Sequence, residues 1–235
     1  MKFKRILFLI FILLFFGGQL TLASGLSSKT ASVPDASHLT LDEVLKKVEK
    51  HYSVSGFTAY FTQTSTIKAM DITDSASGKA FFKRSGKMRW EYETPDRQII
   101  ITDGNTLWVF RPEDNQVMIG KAPSFFQGGK GFSFLSDMKE IREKFSITLE
   151  NETEEGFFIL KLLPIEKTLD IVEIHLWISR STFDVVKILT YNSYGDETRI
   201  VFTNIQLKKE LDDSLFSFRT TEGMEVLNLD EQQGQ

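Results

Sequence analysis

The side chains that could do chemistry are few and scattered. The three histidines are His38, His51 and His175, and no two have the i, i+4 spacing that sets a pair of metal ligands on one helix face. His51 falls where a helix is expected to end, a place that favours a cation through the helix dipole. His175 alternates onto the outer face of an expected strand. The chain has no cysteine, which excludes thiol chemistry and disulfide staples alike. There is no G-x-S-x-G elbow and no G-x-x-x-x-G-K-[ST] loop, and Gly128-Gly129-Lys130-Gly131 lacks the strand-to-helix context of a phosphate site. The carboxylate runs Asp212-Asp213 and Glu152, Glu154, Glu155 fall in expected turns and read as solvated faces. No catalytic set, no metal site and no cofactor are expected. An enzyme would have to assemble its acid and base from distant strands.

The elements around these residues are much clearer. Lys2, Lys4 and Arg5 precede the unbroken apolar run from Ile6 to Phe16, and small residues follow at Thr21, Ala23 and Ser24. This is the layout of a secretory signal peptide, and the run is short of the about 20 residues that a membrane-spanning helix needs. Cleavage is expected after Ala23, with Ser24 next best, which places the protein in the periplasm. Leu22-Ala23-Ser24-Gly25 resembles a lipobox, but Gly25 stands where the lipid-bearing cysteine would be. No stable membrane anchor is therefore expected after cleavage. The whole chain has 28 basic and 32 acidic residues; the segment before the cut carries three basic and no acidic ones, leaving 25 against 32. That balance argues against nucleic acid and against electrostatic attachment to anionic lipid.

Residues 24–38 are rich in Ser, Ala and Thr and read as a flexible leader. Thr40-Leu41-Asp42-Glu43 matches a capping box, and Leu41, Val44, Leu45 and Val48 follow at helical spacing. Beyond Gly56 the period changes to two. Phe57, Ala59 and Phe61 share a face, as do Met88, Trp90 and Tyr92, and as do Val172, Ile174, Leu176 and Ile178. Turns at Ser85-Gly86, Thr94-Pro95-Asp96, Asp103-Gly104-Asn105, Glu155-Gly156 and Tyr194-Gly195-Asp196 separate about ten or eleven such strands, which should pair as antiparallel neighbours. So long a sheet must curl or split. The expectation is an α+β fold, a strongly curved antiparallel sheet or open barrel with the N-terminal helix packed on it. The domain is expected over residues 39–229, with a tail at 230–235.

Phenylalanine is abundant, at 21 residues. Two readings of the inward aromatic faces stand: a plain core, or the walls of an apolar cavity. On the second, the acyl-chain wall is Phe57, Ala59, Phe61, Met88, Trp90, Tyr92, Ile174 and Leu176. Trp177 shares the face of His175 and is left out. The segment holding Phe125, Phe126, Phe132, Phe134 and Leu135 among glycines is too apolar for an ordinary loop and too glycine-rich for a core helix. It reads either as a plug at one end of the barrel or as a lid over the cavity. Asp137 to Lys144 then looks like a short helix.

The stretches Gly56 to Gln63, Phe82-Lys83-Arg84, Met88 to Tyr92, Pro95-Asp96 and Thr102 to Trp108 resemble, in order and spacing, the LolA-type outer-membrane lipoprotein carriers. Phe216-Ser217-Phe218 before Gly223 fits the same pattern. The resemblance implies an unclosed, about eleven-stranded barrel with helices covering an apolar cavity. It also implies a periplasmic chaperone that takes acylated lipoproteins from an inner-membrane ABC transporter release complex and passes them to an outer-membrane acceptor lipoprotein. A monomer without enzymatic activity is expected. The family's lid-latching arginine falls on Arg84, although Ser85 replaces the usual proline; the other reading of Arg84 is a surface residue in a basic cluster with Lys83 and Lys87. A sensor or glycolipid-binding module of the same fold is the alternative function.

Overall fold

The computed structural model describes residues 39–53, 56–83, 86–122, 138–150, 154–166 and 169–232. Helix α1 (Leu41–His51) starts as its sequence demands. The Thr40 hydroxyl accepts from the Glu43 amide, and the Glu43 carboxylate accepts from the Thr40 amide, so two otherwise free N–H groups are satisfied. Val44, Leu45 and Val48 are its buried stripe.

Twelve strands follow among the described residues: β1 (Gly56–Ile67), β2 (Ile72–Lys83), β3 (Lys87–Thr94), β4 (Gln98–Thr102), β5 (Thr106–Arg111), β6 (Gln116–Lys121), β7 (Phe145–Leu149), β8 (Phe157–Pro164), β9 (Glu173–Ser179), β10 (Val185–Tyr191), β11 (Glu197–Lys208) and β12 (Glu225–Asn228). Short helices α2 (Met138–Lys144) and α3 (Leu229–Gln232) flank β7 and follow β12, and a 3-10 turn spans Asp213–Phe216. All strands lie in one sheet in the order β12-β6-β5-β4-β3-β2-β1-β11-β10-β9-β8-β7. The sheet is therefore unclosed, with β12 and β7 at its edges.

Ten of these pairings follow the sequence-based expectation of antiparallel neighbours. The exception is β12, which lies parallel to β6. A parallel partner needs a long connection rather than a tight turn, and no local pattern announced it; it brings the strand count to twelve. Where they fall within the described residues, the expected turns are present. At Asp103-Gly104-Asn105, for instance, the Asp103 carboxylate accepts from the amides of Asn105 and Thr106. Val172, counted among inward residues by alternation, lies before β9 and is exposed.

The curl of the sheet is evident from its core. Inward residues of β1, β2, β3, β8, β9, β10 and β11 form one apolar cluster with Val44, Leu45 and Val48 of α1. Strands separated by several places in the sheet meet there because the sheet bends around the helix. Leu107, Val109, Met118 and Ala122 form a second cluster, against which Leu227 and Leu229 pack. Among the described residues no helix is long and apolar enough to cross a membrane.

Candidate functional site

The concave face is built by the period-two pattern of its strands. On β1 the inward residues Phe57, Ala59 and Phe61 are 1–4% exposed. Across from them β2 contributes Ala80 and Phe82, and β3 contributes Met88, Trp90 and Tyr92. From the far side β9 adds Ile174 and Leu176. All eight residues expected to wall a cavity are thus gathered in one place, seven of them buried and Tyr92 packed against them.

The aromatic rings form a connected array. Phe57 stacks on Phe82 with centroids 4.5 Å apart, Phe82 meets Trp90 edge-on at 5.4 Å, and Phe61 meets Trp90 and Tyr92 edge-on at 4.7 and 5.0 Å. Such geometries let ring edges face ring faces and add to the area that each ring buries. Burial pushes the Tyr92 phenol above its ordinary range, and its hydroxyl donates to Gln63 Oε1 at 3.0 Å.

Next to the aromatic zone the same inner face turns polar. Asp74, Ser65, Thr198 and Thr190 are cross-strand partners in one row over β2, β1, β11 and β10. Ser65 Oγ lies 3.4 Å from Thr198 Oγ1 and accepts from Gln63 Nε2 at 3.2 Å. Apolar residues flank the row on both sides: Ile67 and Ile72 toward the β1–β2 turn, Ala76, Ile200 and Ile188 toward the aromatic zone. Expectations from sequence passed over this row. The signal was there in β2, where Asp74 shares the inward parity of Ile72, Ala76, Ala80 and Phe82.

The outer face carries the charges. Lys83 and Lys87, expected as part of a basic cluster, both donate to Asp213 Oδ1, at 2.8 and 2.9 Å. Those bonds, from Lys83 first and then Lys87, hold the Asp213 carboxyl down at about 2. The segment is pinned further by Lys83 to the Leu211 carbonyl and Arg89 to the Leu215 carbonyl. Asp213 is therefore more than a solvated charge: a mostly exposed carboxylate, it ties the 3-10 turn to the sheet. Glu154 likewise accepts from Trp177 Nε1 at 2.6 Å, while Lys187 lies over the Trp177 ring. His175 sits on the outer face as expected, between Glu173 and Glu150. Burial raises the Glu173 carboxyl, but bonds from Lys161 and His175 more than offset this and leave it lowered. His51 does end α1, and its Nε2 lies 2.7 Å from Asp184 Oδ1. Among the described residues no group of His, Asp and Glu is arranged to hold a metal ion. Arg84 and the lid set Phe125, Phe126, Phe132, Phe134 and Leu135 lie outside the described residues.

An unclosed sheet with an aromatic inner face is the setting in which the comparisons with known proteins are read. The family described as outer membrane lipoprotein carrier protein LolA matches residues 52–219, more than half of the chain. The chain belongs to this family. An outer-membrane lipoprotein carrier protein of Hahella chejuensis is 26% identical over 187 residues, covering 80% of this chain and 86% of that protein. One from Azotobacter vinelandii is 27% identical over 170 residues, covering 72% and 80%. A crystal structure of an uncharacterized conserved protein from Thermus thermophilus matches with a TM-score of 0.53 at 13% identity, over 80% of this chain and 98% of that one, and shares the fold. LolA-family membership sets the chain among carriers rather than enzymes.

Proposed function

We propose that this protein is a periplasmic carrier that holds the acyl chains of lipoproteins against the concave aromatic face. It would load from an inner-membrane ABC transporter release complex and unload to an acceptor lipoprotein at the outer membrane, working as a soluble monomer. The signal segment would direct export and be cleaved near Ala23-Ser24. The observation that carries this reading is the join of LolA-family membership with one connected apolar surface, from Phe57 through Phe82, Trp90 and Phe61 to Tyr92, inside a sheet whose edges do not meet. Each methylene taken from water there contributes about 0.8 kcal/mol, so a single acyl chain supplies ample driving force. The same gain must be given back at delivery, which requires a second state of lower affinity. On this reading Phe125, Phe126, Phe132, Phe134 and Leu135 form the cover, and Arg84 is the group that holds it.

Depletion of the protein tests the reading in cells: lipoproteins should accumulate at the inner membrane, and normal outer-membrane delivery would overturn it. In vitro the protein should take up bis-ANS or release acyl chains on solvent extraction. Arg84→Leu should still bind lipoprotein but pass it on poorly, and unimpaired delivery by this variant would remove the latch role.

A further inference from the structure

The polar row on the concave face has one member whose hydrogen bonding is incomplete. Asp74 Oδ2 is buried, and among the described residues it has no hydrogen-bond partner. Ser65, its cross-strand neighbour, is already engaged by Gln63 Nε2 and lies beside Thr198. The rest of the row is self-satisfied: Thr190 Oγ1 donates to the Thr198 carbonyl at 3.4 Å. A buried acceptor left without a donor is costly and rare, so its persistence calls for a reason. Ala or Ser at this position would keep the strand without that cost.

The location narrows the reason. Asp74 points to the same side as Ile72, Ala76, Ala80 and Phe82, into the curl of the sheet and away from the charged outer face. The row begins where the aromatic zone ends: Tyr92 bonds Gln63, and Gln63 bonds Ser65, so hydrogen bonding runs unbroken from the aromatic wall to the neighbour of Asp74. A ligand that laid hydrocarbon on Phe61, Trp90 and Tyr92 would bring the atoms at the head of its chains to this row. The unmet group there is a carboxylate oxygen, which accepts and cannot donate. It calls for an N–H.

Resting on the carrier reading above, we infer that Asp74 receives the nitrogen of the cargo's acylated N-terminal cysteine, while Ser65 and Gln63 face the ester groups beside it. That nitrogen is an ammonium in a diacylated lipoprotein and an amide N–H in an N-acylated one; both donate. The row would thereby tell a lipoprotein head group from a free fatty acid, whose carboxylate Asp74 would repel.

The test compares wild type with Asp74→Asn and Asp74→Ala in binding three probes: an S-dipalmitoylglyceryl-cysteinyl peptide with a free α-amino group, its N-palmitoylated counterpart, and bis-ANS. Losing one charge-assisted hydrogen bond should weaken lipopeptide binding about tenfold or more. Binding of bis-ANS should stay within about twofold, because the hydrophobic surface is untouched. The thermal midpoint of the free protein should hold or rise in Asp74→Ala, since an unmet acceptor has been removed. A larger loss with the free amine shows that Asp74 favours the ammonium, and equal losses show that either N–H donor serves. Lipopeptide affinity unchanged in both variants, with bis-ANS still bound, would overturn the assignment and leave the carrier reading standing. A wild-type protein that binds none of the three probes would instead overturn the carrier reading itself.

Discussion

Gly78 on β2 lies so close to Glu91 of β3 that a Cβ built at Gly78 would stand 1.9 Å from the Glu91 carbonyl oxygen. The pairing of these strands shifts register at Ser77 and Gly78, and the missing side chain is what lets the two backbones approach. Gly78→Ala has no flexible neighbour to displace, because the obstructing atom belongs to the backbone. It should lower stability by about 1–3 kcal/mol. Chemical denaturation of the variant beside wild type measures this directly, and an unchanged midpoint would mean that the strands can part at no cost.

Phe82 is the hub of the aromatic array, 1% exposed and in contact with Phe57, Trp90 and Phe202. Phe82→Ala should cost about 3–5 kcal/mol, the range for a large ring lost from a packed core. If the concave face also binds acyl chains, the enlarged space should raise rather than lower the stoichiometry of bis-ANS. Fluorescence titration of the folded fraction separates the two effects.

The end of α1 is tied to the β9–β10 turn. His51 meets Asp184, and the Tyr52 hydroxyl accepts from the Val185 amide at 3.0 Å. Asp184→Asn should cost about 1–2 kcal/mol, the scale of one partly buried hydrogen bond to a charged group. Hydrogen exchange should show the loss concentrated in α1 and β10, with the β4–β6 ladder little affected; a uniform increase in exchange would argue that the tie is not local.

Acid should loosen the strap at Asp213 before it unfolds the sheet. The folded carboxyl is held at about 2 against an ordinary value of 3.8. A depressed carboxylate contributes stability that is present above its unfolded value and lost as pH falls through the folded one. The window is therefore from about 3.8 down to about 2. Asp213→Asn should have a lower thermal midpoint than wild type at neutral pH, and the difference should shrink across that window and in high salt. Midpoints measured against pH for the two proteins would reveal a difference that does not close if the tie were not ionic.

Much of this fold is written locally. The capping box at Thr40 and Glu43 completes itself within four residues, and the alternation through Phe57, Ala59 and Phe61 states which face is inward without knowledge of any partner. The inward faces of Phe57, Trp90 and Tyr92 were legible for the same reason: each strand declares its own parity. Phe82, which joins them in the structure, was not among the residues expected there. What escaped notice depends on residues distant in sequence. Asp213 looks like a solvated carboxylate until β2 and β3 bring Lys83 and Lys87 to it. The parallel pairing of Glu225–Asn228 with β6 has no turn to announce it. The row of Asp74, Ser65, Thr198 and Thr190 exists only once four strands are in register, and each member alone is an unremarkable polar residue in a strand.

The two strands at the centre of the sheet, β1 and β11, come from nearly opposite ends of the described chain: Gly56 pairs with Lys208 and Thr66 with Glu197. Among the described strands, the hydrogen-bonded ladders of β2 to β6 and of β7 to β10 are joined through this pairing. Closing so long a loop carries a large entropic cost before any contact rewards it, so folding should be slow and should wait for β11. For a chain exported as proposed above, that delay is a gain. A translocation pore admits only an unfolded thread, and a sheet whose central seam cannot form until its last third is available remains threadable while the rest passes through.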